Sequence, residues 1–415
     1  MLSARDREDG AHSASQPGTA ARLADIAWVF LRLGCLSFGG PIAHLGYLRA
    51  EFVEKRKWLD DAHYGELVAL CQFLPGPASS QVVFALGMRR AGLLGALVAS
   101  VCFTLPSALL MIGFAYGVTR AADLSRAGWL HGLKLAAVAV VAQAVWGMGK
   151  KLCTDRARIS LCIGSAAVLL ALPGAVAQLC VIAFGGLVGF WLYRDTIAFG
   201  SVPGGTTNGA RGHAAAAAAL LAFLALLIAL PALASATMLR DIAVFDTFYR
   251  SGSLVFGGGH VVLPLLRAEV VPRGWLSDDQ FLAGYGAAQA LPGPLFAFSA
   301  YLGAAMHSGP ASWLNGLWCL LAIFLPAWLL IGGALPFWHR LRAKRCVVAT
   351  LAGANAAVVG MLLAALYSPL FTEGVRSPGD VVTTLISFGL LEHWKAPPWS
   401  VVLGAAATGQ WLLPA

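Results

Sequence analysis

Two arginines stand inside otherwise apolar segments at matching places in the chain, Arg32 in VFLRLGCLSFGG and Arg250 in TFYRSGSLVFGG. An ionised side chain in such a segment is expensive and faces a cavity or a partner. Its planar guanidinium fork matches a tetrahedral oxyanion. The competing reading is that each snorkels to an interface or pairs with Asp25 or Asp246 on its own helix. Just beyond each arginine the helix is broken, by Gly39, Gly40 and Pro41 in the first case and by Gly257 and Gly258 in the second, with His260 just past it. A second kind of break follows: Gln72-Phe-Leu-Pro75-Gly76-Pro77, and later Gln289-Ala-Leu-Pro292-Gly293-Pro294, with Ser79, Ser80 and Ser299 close behind. Helix starts leaving such breaks carry partial positive charge and unpaired N–H donors, which suit an oxyanion with four acceptor oxygens. Gln and Ser add neutral, rotatable donors that can replace hydration without trapping the anion. They could equally satisfy the freed backbone groups, just as Gly and Pro could merely kink packed helices.

Other chemistry is sparse. His44 and His260 lie just past the glycine pairs and could carry protons, since imidazole titrates near neutrality. Asn355 and Lys134 are polar residues in apolar helices and join the candidates. Arg49 with Glu51, and Arg267 with Glu269, read as loop-facing structural pairs. Glu66, Asp25 and Asp246 are the carboxylates that could take a proton or cation, and none sits deep; freed carbonyls could still hold sodium. The coupling ion, proton or sodium, stays open at this stage.

These residues need elements that can hold a broken backbone inside an apolar layer. The chain has 415 residues, 58% hydrophobic and only 12% charged, with mean hydropathy +0.73. So few charged side chains cannot coat a soluble globule of this size, so the solvent for most of the surface is lipid. The fold class expected is all-α, a polytopic membrane protein. The net charge of +9 sits in short clusters between apolar runs rather than on one face, which argues against nucleic acid. Eight cysteines form no CxxC and lie mostly in apolar segments, where thiols act as small hydrophobes. No disulfide, metal site or cofactor is expected. Residues 1–22 read as a disordered cytoplasmic N-terminus without a signal peptide.

Self-similarity organises the rest. FLRLGCLSFGG from Phe30 returns as FYRSGSLVFGG from Phe248, LRAE from Leu48 as LRAE from Leu266, and FTLP from Phe103 as FLP from Phe324. Two homologous halves follow, 23–195 and 240–415, joined by a glycine-rich linker and connecting helix over 196–239. Basic clusters flank the early segments of the first half (Arg49, Lys55, Arg56, Lys57, Arg89, Arg90, then Lys150, Lys151, Arg156, Arg158). In the second half the strong cluster moves to Arg340, Arg342, Lys344 and Arg345. Short basic loops stay cytoplasmic, so the halves prefer opposite orientations, an inverted-topology repeat. If the clusters near 55 and 89 share a face, the stretch between them enters and leaves by that face. Its arms of about 11 residues span roughly 16 Å each, half the hydrocarbon core. Re-entrant hairpins broken at 38–41 and 75–77 are expected, followed by spans near 92–118, 129–149, 311–337 and 346–367. The stretches 159–193 and the last 35 residues are expected as membrane-embedded helix pairs.

Taken together, FGGP (Phe38–Pro41), Trp58-Leu-Asp-Asp, QFLPGP, FGGGH with Leu263-Pro264, Trp275–Phe281, QALPGP and Asn355–Gly360 resemble the chromate ion transporter family in its long-chain, two-domain form. The resemblance implies a multi-pass carrier of the inner membrane that exports chromate from the cytoplasm and confers resistance. It implies drive by an ion gradient rather than ATP, and the chain contains no GxxxxGK[ST] motif. Sulfate is isosteric with chromate, so a sulfate or other oxyanion permease is the alternative. An intramembrane enzyme would want clustered acid–base residues, which are missing. The assembly is open, a homodimer included.

Overall fold

The computed structural model describes residues 18–120, 128–194, 210–256, 259–307, 309, 312–337 and 345–411, and those residues contain helices and connecting turns without a strand. Among the described residues six segments are long and apolar enough to cross a membrane: 78–119, 128–152, 176–193, 213–237, 312–337 and 346–374. Trp28, Leu93, Leu109, Phe184, Trp191, Leu221 and Ile228 point outward, as a lipid-facing surface requires. The chain is an all-α membrane protein of two homologous halves.

In the first half, α1 (Thr19–Leu36) meets α2 (Gly40–Arg49), which continues as a π-turn over Ala50–Lys55. Asp25 faces Arg56, Phe30 stacks on Phe52 at 4.9 Å, and Arg32 faces Glu51. This nested pairing makes α1 and α2 the two arms of a hairpin whose tip is the glycine break. The helix α3 (Asp61–Phe73) and the first part of α4 (Ala78–Arg120) form the second hairpin around Pro75–Pro77. Its two ends meet at one level, because Arg90 lies 5.1 Å over the Trp58 ring. Trp58 also packs on Phe52 and Phe30, fastening both hairpins at their bases. α4 is not one rod. Ala91 and Gly92 leave helical geometry, and the chain turns back so that 93–120 crosses the layer as a span.

The second half repeats the plan with α9 (Arg240–Ser253), α10 (Val262–Val270), α11 (Asp278–Ala290), α12 (Phe298–Ala305) and the span α13 (Ser312–Ala334). Arg273 faces Thr247 and Arg250 faces Glu269, the same nested pairing. Between the halves runs α8 (Ala210–Thr237), 28 residues and so about 42 Å of helix. One such crossing starts the second half on the opposite face.

Contacts establish the inversion. Trp313, at the start of α13, donates its N–H to the Tyr116 hydroxyl near the end of α4, and Gly316 packs against Ile112. The far end of α13 lies instead beside the first-half hairpin arm, where Trp328 stacks on Phe84 and Gly332 approaches Met88. The hairpin bases of the two halves therefore face opposite sides.

After the hairpins each half has a further span, α5 (Gly128–Leu152) and α14 (Arg345–Ala365), then a helix pair: α6 (Arg156–Ala171) with α7 (Ala175–Tyr193), and α15 (Pro378–Glu392) with α16 (Pro398–Trp411). The halves exchange these pieces: α7 packs on α14 and α16 on α5. Lipid tails are as apolar as the side chains, so close van der Waals packing must hold such contacts. Small residues permit it. A Cβ at Gly353 would lie 2.0 Å from the Gly185 carbonyl oxygen, and one at Gly132 would lie 2.1 Å from that of Ala405.

Some sequence expectations shift. Residues 19–22 belong to α1 rather than to a disordered tail, because Ala20 and Ala21 are strong helix formers; residues 1–17 lie outside the described part. The span α5 reaches Leu152, and the connecting helix starts at Ala210. Arg49 pairs with Glu54 and Asp61, not Glu51, and Arg267 with Asp278 and Glu373, not Glu269. The physical reason is helix phase: Glu51 and Glu269 turn inward between the hairpin arms and are buried, leaving the outer arginines to bridge to the next hairpin. In a background with its exposed cysteines replaced, single cysteines at positions 89 and 307 are expected to react with an impermeant maleimide from opposite faces. Labelling of both from one face would overturn the inversion.

Candidate functional site

The tips of the four hairpins meet across the halves. The Gly76 N–H donates to the Val255 carbonyl at 2.7 Å, and the Gly293 N–H donates to the Ser37 carbonyl at 2.8 Å. Each acceptor belongs to the broken end of a helix, where carbonyls have no intrahelical partner. Each donor is the lone N–H of a Pro-Gly-Pro tip, since proline has none. Both glycines take positive φ, +121° and +94°, which a side chain would strain. The fit is also close, since a Cβ at Gly293 would lie 2.8 Å from Ser107 Oγ and one at Gly76 3.2 Å from Ala327 Cβ. The loop Gly39–Gly40, with φ of +95° and +73°, turns the first break, and Pro41 lies against Gly259. Gly257 and Gly258 lie outside the described residues.

Around this symmetric frame the side chains are unequal. In the first half His44 is buried, with Nε2 donating to the Ser37 carbonyl at 3.0 Å and Nδ1 facing Ser79 Oγ at 3.4 Å. That assigns Nδ1 as the acceptor of the serine proton. Gln81, fully buried, donates from Nε2 to the Pro75 carbonyl at 2.8 Å, while its Oε1 has no partner among the described residues. Ser80 Oγ and Ser100 Oγ are buried and likewise unpartnered there. Ser107 donates to the Thr104 carbonyl. The repeat-equivalent residues of His44, Ser79, Ser80, Gln81 and Ser107 are Val262, Phe296, Ala297, Phe298 and Ala327. The polar wall is therefore a first-half property.

The second half contributes a different set. His260 Nδ1 is 2.8 Å from the Tyr285 hydroxyl, and Gln289, one turn further along α11, keeps a buried Nε2 with no described partner. Its repeat mate Gln72 is exposed, so that pair is not brought together. Ser299 is fully buried and donates to the Phe296 carbonyl, closing its own turn. Asn355 sits half-buried in α14. Gln81, Ser100, Ser107 and Tyr285 escape a motif reading; the run Ser79-Ser80-Gln81, one residue after Pro-Gly-Pro, was the available signal for the first of them.

The arginines lie away from the tips, along the hairpin arms. Arg32 binds Glu51 at 2.6 Å, and Arg56 binds both Glu51 and Asp25. Arg250 binds Asp246 at 2.8 Å and Glu269 at 3.5 Å, with Arg273 on the other side of Glu269. Each half thus carries an Arg-Glu-Arg cluster that clamps its first hairpin. A second repeat-related pair, Arg49 to Asp61 and Arg267 to Asp278, ties the first hairpin to the next. At the exposed start of α3 that Arg49 contact holds the Asp61 carboxyl below the usual carboxylate range. Lys134 of α5 reaches Asp279 of α11 and joins the halves.

The fold and its central junction define a polytopic α-helical membrane protein whose inverted halves interlock through their broken helices. The chain belongs to the chromate transporter family, whose profile matches residues 24–190 and 242–410. It is 31% identical to the chromate transport protein of Pseudomonas aeruginosa over 92% of this chain and 91% of that one. It is 29% identical to the chromate transport protein of Cupriavidus metallidurans, over 93% and 92%. The uncharacterized transporter YwrA of Bacillus subtilis is 28% identical over 42% of this chain but 97% of its own length, about the size of one half. No solved structure matches the chain.

Replacing Gly293 by alanine is expected to cost roughly 1–2 kcal/mol from the left-handed backbone alone, with the contact to Ser107 added. The thermal midpoint in detergent should fall, and Ser107→Gly should restore only the part due to that contact. An unchanged midpoint in Gly293→Ala would show that the tip contact is not under strain.

Proposed function

We propose that this protein is a secondary transporter that carries chromate out of the cytoplasm across the inner membrane, and that this transport confers chromate resistance. The names of its full-length relatives support the substrate. The observation that carries the mechanism is the reciprocal tip bonding, Gly76 to Val255 and Gly293 to Ser37. It makes each half the lining of the other's break, as rocking of one half against the other would require. The anion binds at the first-half tip. There the first-turn amides of the helix beginning at Ala78 lack intrahelical acceptors, and Ser80 adds a buried hydroxyl with no described partner. Gln81 shapes this wall by holding the Pro75 carbonyl. These groups are neutral, so they bind a dianion without holding it permanently. The halves present this site to alternate faces. The basic loops around 49–57, 89–90 and 150–158 belong to one face, which is cytoplasmic by their charge.

Arg32 and Arg250 act in this reading as hairpin clamps. Their charge is met by Glu51, Asp246 and Glu269, and 42% of the Arg32 side chain is exposed. Flux into proteoliposomes tests the assignment. Labelled chromate should enter faster when an ion gradient or membrane potential is imposed, and labelled sulfate in parallel reads selectivity. Flux indifferent to every gradient would exclude a coupled carrier. Ser80→Ala removes one donor to an anion, worth roughly 1.5–3 kcal/mol, so KM for chromate is expected to rise about ten- to hundredfold. Arg32→Gln should lower the thermal midpoint and leave KM unchanged; a raised KM in a stable Arg32→Gln protein would return that arginine to the binding site.

A further inference from the structure

The titratable groups along the hairpins and spans sort by what holds them. Glu51, Asp246 and Glu269 are in Arg clusters, Asp279 is on Lys134, and His131 and Asp380 are on each other. His44 has both ring nitrogens engaged, with the Ser37 carbonyl and Ser79. His260 is different. Its Nδ1 is tied to the fully buried Tyr285 hydroxyl, while its Nε2 has no partner among the described residues and the residue is only half-buried. It sits at the junction itself: the neighbouring Gly259 lies against both Pro41 of the first-half break and Leu295 of the second-half tip.

We propose that His260 is the proton-binding residue of the carrier, taking one proton on Nε2 when the substrate anion occupies the junction. This deepens the transport reading above and rests on it. A histidine fixed through one nitrogen and open at the other can gain and lose a proton without breaking its anchor. The elements around it do not supply a competing charge. Packed against the His260 turn are α10, α14 and the turn at Leu295–Ala297. Arg267 and Glu269 of α10 are ion-paired at the hairpin base, and α14 has no charged residue after its first position. The Leu295–Ala297 turn has no titratable group, α11 presents Tyr285, and α2 presents the engaged His44. A dianion at the junction would therefore be the strongest field acting on His260. It favours the imidazolium, and by linkage the proton favours the anion by the same factor. Proton and anion then travel together, so the cycle moves one negative charge rather than two.

The test uses full-length protein in proteoliposomes containing a pH-sensitive dye. The medium is alkaline enough that bulk chromate is fully deprotonated, and valinomycin sets the potential. Wild type is expected to move one proton with each chromate. His260→Asn is expected to lose the accompanying proton, its proton-to-chromate ratio falling toward zero in whatever chromate flux remains. Wild-type chromate flux without proton movement would overturn the inference while leaving the transport reading intact; no chromate flux at all would overturn the transport reading first. Proton movement persisting in His260→Asn would also overturn it. If that variant fails to insert, Tyr285→Phe removes the partner of Nδ1 and should shift the pH midpoint of coupled flux, and an unshifted midpoint counts against the proposal.

Discussion

Backbone that leaves helical geometry inside a lipid layer must find its hydrogen bonds in protein, and this protein meets that requirement across its two halves. The Ser37 and Val255 carbonyls, freed by the helix breaks, are each satisfied by the single N–H of the opposite Pro-Gly-Pro tip. Neither half can close its own break. The exchange of α7 onto α14 and α16 onto α5 extends the same interdependence to the outer helices, where glycine and alanine let the backbones touch. Inversion, interlocking and the position of the central junction all follow from that one constraint.

A symmetric backbone has been filled asymmetrically. Where the first half places His44, Ser79, Ser80 and Gln81, the second places Val262, Phe296, Ala297 and Phe298; where the second places His260, the first has Ile42. Duplication supplies two equivalent frames, and under the proposed function the polar donors to one anion come from one of them. The other half is then free to pack tightly, as the Phe281, Phe298 and Tyr301 rings do, and to contribute a single titratable group. Charge is kept at the hairpin bases on the two faces. There the Arg-Glu-Arg clusters hold the arms of each first hairpin together, while the described residues of the tips carry no ion pair.

Much of this was legible from the chain alone. A composition of 58% hydrophobic and 12% charged residues determines the solvent. The repeat of Phe30–Gly40 at Phe248–Gly258 determines two halves, and the migration of basic clusters determines their opposite orientation, because loop charge acts through the membrane and needs no knowledge of packing. Gly and Pro runs mark the breaks because their backbone chemistry is local. Tertiary structure alone decided which groups meet. Helix phase turned Glu51 inward to Arg32 and Arg56 and sent Arg49 to Asp61. Gln289 was buried and its repeat mate Gln72 exposed. The lone donors of Gly76 and Gly293 found acceptors some 180 and 256 residues away along the chain. Composition, period and charge are properties of a segment read by its solvent, whereas hydrogen-bond partners are set by distances between segments that a linear pattern does not contain.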